Sequence, residues 1–217
     1  LVGFSPLLWP VAPVMAATFT VTSTADNLTN GDGFCTLREA ISAANNAATN
    51  DCGSASAGND TIVLQSGATY TLNLDGTAGD EDANAEDDLD IAGVSAAGTL
   101  TIQGNGATIQ RSTAVLCDPN GSVVAGEFRI FEVLSGFGGG GNLTLQDVTV
   151  KEGCAEQGSG GGISASFGAT VTVTNSTISG NTATGNGGGV YHESGDLLVA
   201  NVTITGNRAS VGFGGGL

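Results

Sequence analysis

The densest reactive chemistry in this chain is an acidic run from Asp75 to Asp90. Within it Asp80, Asp82, Asn84, Glu86 and Asp88 alternate as in the first part of an EF-hand loop. Calcium takes several oxygen ligands at close range, and that alternation supplies them. Ala85 stands where such a loop needs glycine, Ile91 stands where its bidentate glutamate belongs, and no helical pattern flanks the run. An EF-hand is therefore excluded. Two expectations remain: a looser calcium site on those five residues, or a solvated acidic loop, the ordinary fate of a charge run.

Other chemistry is thinner. A polysaccharide lyase needs Arg or Lys as a base beside calcium and carboxylates. The cations are Arg38, Arg111, Arg129, Lys151 and Arg208, and nothing in their spacing puts two together. A hydrolase needs two carboxylates facing one groove. Glu127, Glu132, Asp147 and Glu152 are available, but each lies near a strand and reads as a solvated outward residue. Gly136 to Gly141 fits G-x-G-x-x-G without the strand and helix that give the motif meaning. His192 is the only histidine and has no Ser or Cys partner in view, so a nucleophilic triad is unsupported. No catalytic residue is assigned. Cys35, Cys52, Cys117 and Cys154 form no C-x-x-C and no Cys/His cluster, which points to disulfides in an oxidising compartment rather than zinc. Of three possible pairings, the expected one is Cys35–Cys52, closing a short loop, with Cys117–Cys154.

The elements that must carry these residues follow from self-similarity. Asn175-Ser-Thr-Ile-Ser-Gly-Asn181 recurs as Asn201-Val-Thr-Ile-Thr-Gly-Asn207. Gly160-Gly-Gly-Ile163 recurs as Gly187-Gly-Gly-Val190 and Gly214-Gly-Gly-Leu217. A fixed period of about 27 residues signals a solenoid, a propeller or an array. Within each copy, β-branched residues recur at spacing two in runs too short for a propeller blade, so the pattern predicts short strands with one buried face. The predicted fold is all-β: a right-handed parallel β-helix with a small N-terminal cap holding one short α-helix. Val173, Ile178 and Val190 should lie beneath Val199, Ile204 and Leu217 in dry columns. Residues 59–217 form the winding region, with room for roughly six coils. The last copy breaks off at its third strand, so continuation beyond Leu217 is expected.

Residues 18–58 read as the cover that an open coil end requires. Thr18 to Thr24 predicts a strand. Cys35 to Asn45 predicts a helix, with Thr36 and Glu39 as a capping box and Leu37, Ala40, Ile41 and Ala44 as its apolar stripe. Cys35-Thr-Leu-Arg-Glu-Ala-Ile41, after Thr-Val-Thr-Ser-Thr-Ala-Asp26 and before an Asn-rich stretch to Cys52, resembles the CSLREA domain, with Thr36 in the place of its Ser. The repeats resemble those of pectin-lyase-like and polymorphic outer-membrane families. The resemblance implies a secreted bacterial β-helix protein of the surface-displayed kind. It specifies fold well and activity poorly.

Residues 1–17 are apolar and hold three of the four prolines, like the later part of a secretory leader cleaved near Thr18. A net charge of −16 argues against nucleic acid and anionic membranes. The function expected from all this is non-catalytic structural or adhesive work outside the cell. Partners would be surface glycans, another protein or further copies stacked end to end into filaments, with Gly214, Gly215, Gly216 and Leu217 as the assembly edge. A polysaccharide-active enzyme on the same fold is the alternative. No cofactor is expected beyond the possible calcium, and no membrane span.

Overall fold

A computed structural model describes residues 16–45, 49–54, 58–76, 83–92, 98–118, 124–136 and 139–217. The chain is mostly β, with 41% strand and 5% helix. Among the described residues every strand pair is parallel except a two-residue contact, Ser135–Gly136 with Gly139–Gly140. Parallel pairing without helical crossovers requires the chain to return by short loops to the same edge each time. The registers record this return. Ala169 faces Gly195 and Thr177 faces Thr203, each 26 residues on. Earlier returns are longer: Leu100 faces Leu143.

Because strands stack in register, like side chains form rows. Phe19, Ile62, Ile102, Leu145, Val173 and Val199 make one row across the nine-stranded sheet. Tyr70, Ile109, Val150, Ile178 and Ile204 make a second. On the four-stranded sheet Leu89, Phe131, Ile163 and Val190 make a third. Within these rows the side chains are buried as far as Val173, Ile178 and Val190. Enclosing each stabilises the fold by about 1.5–3 kcal/mol. The first two rows match the expected stacking of Val173 under Val199 and Ile178 under Ile204. The expected dryness does not extend to the last coil. Val199 and Ile204 are half-buried and Leu217 is exposed, because no strand lies beyond them among the described residues.

Corners obey the same register. Asn175 and Asn201 adopt φ of 50° and 56°, in the left-handed region that Asn tolerates, and the Asn201 amide donates to Asn175 Oδ1 at 2.8 Å. Asn181 is wholly buried and fully employed. Its Oδ1 accepts from the Gly153 N–H at 2.9 Å, and its Nδ2 donates to Asn207 Oδ1 at 3.0 Å. A buried amide is tolerable only when so satisfied. In the Gly-Gly-Gly corner Gly187 has φ of +59°, and a Cβ there would sit 2.1 Å from the Val190 carbonyl oxygen. Any other residue would break the turn.

The cap differs from expectation in detail. Its strand is Thr18–Thr20 rather than Thr18 to Thr24, because the Thr22 and Ser23 N–H groups turn to the Cys35 carbonyl. The helix is Leu37–Ala44, with Thr36 as N-cap. The Thr36 N–H donates to Glu39 Oε2 at 3.0 Å, and the Glu39 N–H donates to Thr36 Oγ1 at 3.2 Å. All eight residues of the helix are buried, not one stripe alone. Cys35 is bonded to Cys52 and Cys117 to Cys154. Two disulfides suit an oxidising, extracellular setting. No described helix is long and apolar enough to cross a membrane.

Candidate functional site

Of the five residues expected to hold calcium, Asp80 and Asp82 lie outside the described residues. The other three are all bonded to Arg38 of the cap helix. Asn84, buried at φ of 57°, donates through Nδ2 to the Arg38 carbonyl at 2.8 Å and to Ser42 Oγ at 3.0 Å. Glu86 gives its backbone carbonyl to Arg38 Nη1 at 3.1 Å. Asp88 gives its carbonyl to the same nitrogen at 2.9 Å, while its carboxylate lies 3.5 Å from Arg129 Nε. The described part of the acidic run from Asn84 to Asp88 is therefore a structural lock. Arg38, with no exposed side-chain surface, grips Asp26 at 2.7 Å and the carbonyls of Glu86, Asp87 and Asp88. Desolvation pushes the Asp87 carboxyl above its usual range, against a stabilising bond from the Gly76 N–H. Desolvation likewise raises Glu39, opposed by its bonds to Thr36.

What the fold does bring together is a set that spacing alone concealed. Asp90 faces Glu132 across the four-stranded sheet. One carboxylate oxygen from each of Asp88, Asp90 and Glu132 lies within 4.8 Å of the others. Arg129 Nη1 reaches Glu132 Oε1 at 2.5 Å. The expectation that Glu132 is solvated is thus corrected, since it is 9% exposed and packed against a cation. Glu127 is corrected too: it is buried and accepts from the Asp118 N–H at 2.7 Å. Asp147 is exposed and Glu152 half-exposed, as expected for outward residues. Calcium fits the acid cluster poorly, because Arg129 already supplies the positive charge between two of its members. A second acid pair, Glu127 with Glu156, lies beside Cys154, whose sulfur is committed to Cys117. Nearby, Arg111 is buried and donates to the carbonyls of Glu152, Val115 and Gly126. Desolvation lowers its basicity, and Glu127 and Glu152 offset part of that. His192 Nε2 lies 3.1 Å from the Ala169 carbonyl oxygen.

Two surfaces are left. One is a threonine array. Thr61, Thr101, Thr144 and Thr172 form an outward row, and Thr69, Thr108, Thr149, Thr177 and Thr203 form another. Neighbouring strands stand about 4.8 Å apart, so each row repeats a hydroxyl at that step. The other is the apolar surface of the last described strands. Among the described residues Gly195–Ala200 and Thr203–Thr205 each have a strand neighbour on one side. Exposed Phe213 and Leu217 border a pocket of about 430 Å³ that Val190, Tyr191, His192 and Leu197 also line, and Leu198 and Val211 are exposed elsewhere on this surface. Gly214, Gly215 and Gly216 are already engaged on one side, accepting from the N–H groups of Gly188, Gly189 and Val190.

Fold and site together define a mostly β, disulfide-bonded chain with parallel sheets and one buried helix. No family model matches it, and neither the curated proteins nor the solved structures yield a match.

Proposed function

We propose that this chain is a non-catalytic structural or adhesive protein, secreted or held at a cell surface, and that its parallel sheets are the faces of a right-handed β-helix. The observation that carries this reading is the 26-residue register, in which Val173 stands over Val199 and Ile178 over Ile204. A chain that returns again and again to the same sheet edge grows along one axis and becomes a stiff rod. On this reading residues 18–58 are a cap of the CSLREA-like kind and residues 59–217 are the winding region. The two disulfides support an extracellular location. The threonine rows supply a regular hydrogen-bonding surface for glycans, another protein or further copies of the chain.

The alternative, a polysaccharide-active enzyme, draws on one observation: Asp88, Asp90, Glu132 and Arg129 meet on one sheet face. Burial weighs against it. Asp88 and Asp90 are at most 1% exposed, and a polymer needs an open groove. Their oxygens also lie closer than the roughly 5–9.5 Å between carboxyl groups in glycosidases.

Adhesion to immobilised polysaccharides, measured alongside product release, separates the two. The rod reading expects retention that falls when Thr149, Thr177 and Thr203 are replaced by Asp, with no new reducing ends. Product release that Glu132→Gln stops would put the enzyme in its place.

A further inference from the structure

We propose that Glu127 and Glu156 hold a calcium ion, which ties the segment carrying Glu127 to the strand Cys154–Ala155. One carboxylate oxygen from each glutamate lies within 4.8 Å of the other and of Cys154 Sγ. Calcium binds oxygen at about 2.3–2.6 Å, so ligands on opposite sides of one ion stand about 5 Å apart. The pair lies inside that span. The Cys154 N–H donates to the Phe128 carbonyl at 2.8 Å, and this bond sets the two segments side by side.

Buried charge points to a cation independently of that spacing. Glu127 is 8% exposed; its Oε1 accepts the Asp118 N–H at 2.7 Å, while its Oε2 is buried with no hydrogen-bond partner among the described residues. Arg111, the buried cation nearby, spends its bonds on the carbonyls of Glu152, Val115 and Gly126. The other acid cluster is the reverse case, because there Arg129 meets the carboxylates of Asp88 and Glu132 directly. Five buried carboxylates, on Asp88, Asp90, Glu127, Glu132 and Glu156, thus share the guanidiniums of Arg111 and Arg129. A buried carboxylate is tolerated when it is paired or coordinates a metal.

The donors select the ion. Cys154 Sγ is bonded to Cys117 and offers no thiolate, and no histidine joins the set among the described residues, so zinc is disfavoured. Carboxylate oxygens suit a hard cation. Magnesium demands near-octahedral geometry at shorter distances, whereas calcium accepts an irregular set completed by water. Glu156 also borders a groove of about 600 Å³, with Gln157, Ser159 and Thr184 on its wall. That groove gives the ion a way in and supplies the water.

The test uses the full chain, stripped with a chelator and titrated with calcium chloride, read by calorimetry and amide hydrogen exchange. Calcium should bind with a dissociation constant of about 0.1–1 mM, the range of extracellular modules. Near saturation it should slow exchange at residues 127–128 and 154–156 by about tenfold, and leave the helix Leu37–Ala44 unchanged. Magnesium should do neither. Glu127→Gln, which keeps an acceptor for the Asp118 N–H, and Glu156→Gln should each weaken binding by about tenfold or more, since charge count sets affinity. The exchange data come from the unaltered chain, so the result does not hang on whether either variant folds. No binding, or binding without slowing at residues 127–128 and 154–156, overturns the proposal. An equal response to magnesium overturns the choice of ion. Binding that Asp80→Asn with Asp82→Asn abolishes, and that Glu127→Gln leaves intact, puts calcium on the acidic run and also overturns it.

Discussion

Two regions of this molecule treat their apolar residues differently: the cap and the strands from Gly195 to Thr205. In the cap a lid encloses them. The helix Leu37–Ala44 is buried on every side, and Arg38 ties it to Asp26 and to three carbonyls of the acidic loop. Cys35–Cys52 closes the surrounding loop. In the strands Gly195–Ala200 and Thr203–Thr205, Val199 and Ile204 are only half-buried. Charge divides in the same way: the lid side carries the acidic run, while residues 195–217 hold one Asp and one Arg. The contrast shows what a row gains from neighbours on both sides: Val173 and Ile178 have them and are buried, while Val199 and Ile204 have a strand neighbour on one side among the described residues and are not.

The largest expected break in the contrast comes from the buried arginine. Arg38→Ala leaves Asp26 uncompensated and should cost about 3–5 kcal/mol in urea unfolding. Arg208→Ala, at the exposed edge, should stay within about 0.5 kcal/mol. Equal costs would mean the lid is not locked as described. Next come the rows themselves. Ile102→Ala, at the centre, should cost about 2–5 kcal/mol. Ile204→Ala should cost about 1 kcal/mol or less, because water already reaches it. A matching loss at Ile204 would show that it is as enclosed as Ile102.

The smallest effect is on pH. Folding raises the carboxyl pKa of both Glu39 and Asp87 by desolvation. A raised acid stabilises the fold in its protonated form, and that contribution is lost as pH rises through the folded value. Mild acidification from neutral should therefore raise the melting temperature. Glu39→Gln should flatten the slope by about 1 kcal/mol or less. Amide protection at residues 195–205, corrected for the intrinsic exchange rate at each pH, should not respond, since those residues hold only Asp196 among carboxylates. A response there as large as in the lid would remove the distinction between the two regions.

Much of the lid and the stacking was legible beforehand, for local reasons. Thr36 and Glu39 sit three apart and cap their own helix, which any sequence window contains. Val171, Val173 and Ile178 alternate within one strand turn, and their repeats at Leu197, Val199 and Ile204 lie a fixed step away. The acid cluster was not legible. Asp90 meets Glu132 only through a strand register set by a 42-residue return, and no local pattern encodes that length. The lock on Arg38 was hidden for another reason. Its partners Glu86, Asp87 and Asp88 contribute backbone carbonyls, which every residue has, so their identity carried no signal.

By itself the amino-acid order determined the alternating strands between Ala169 and Thr205, their 26-residue step, the capped helix and the strong negative charge. The strand alternation and the helix cap depend on near neighbours, and the charge on composition alone. Only the tertiary structure decided which carboxylates meet, that Glu86, Asp87 and Asp88 clasp Arg38 through their carbonyls, and that the helix Leu37–Ala44 is buried on every side. Those outcomes depend on where distant segments come to rest, and burial then fixes which charges must be paired.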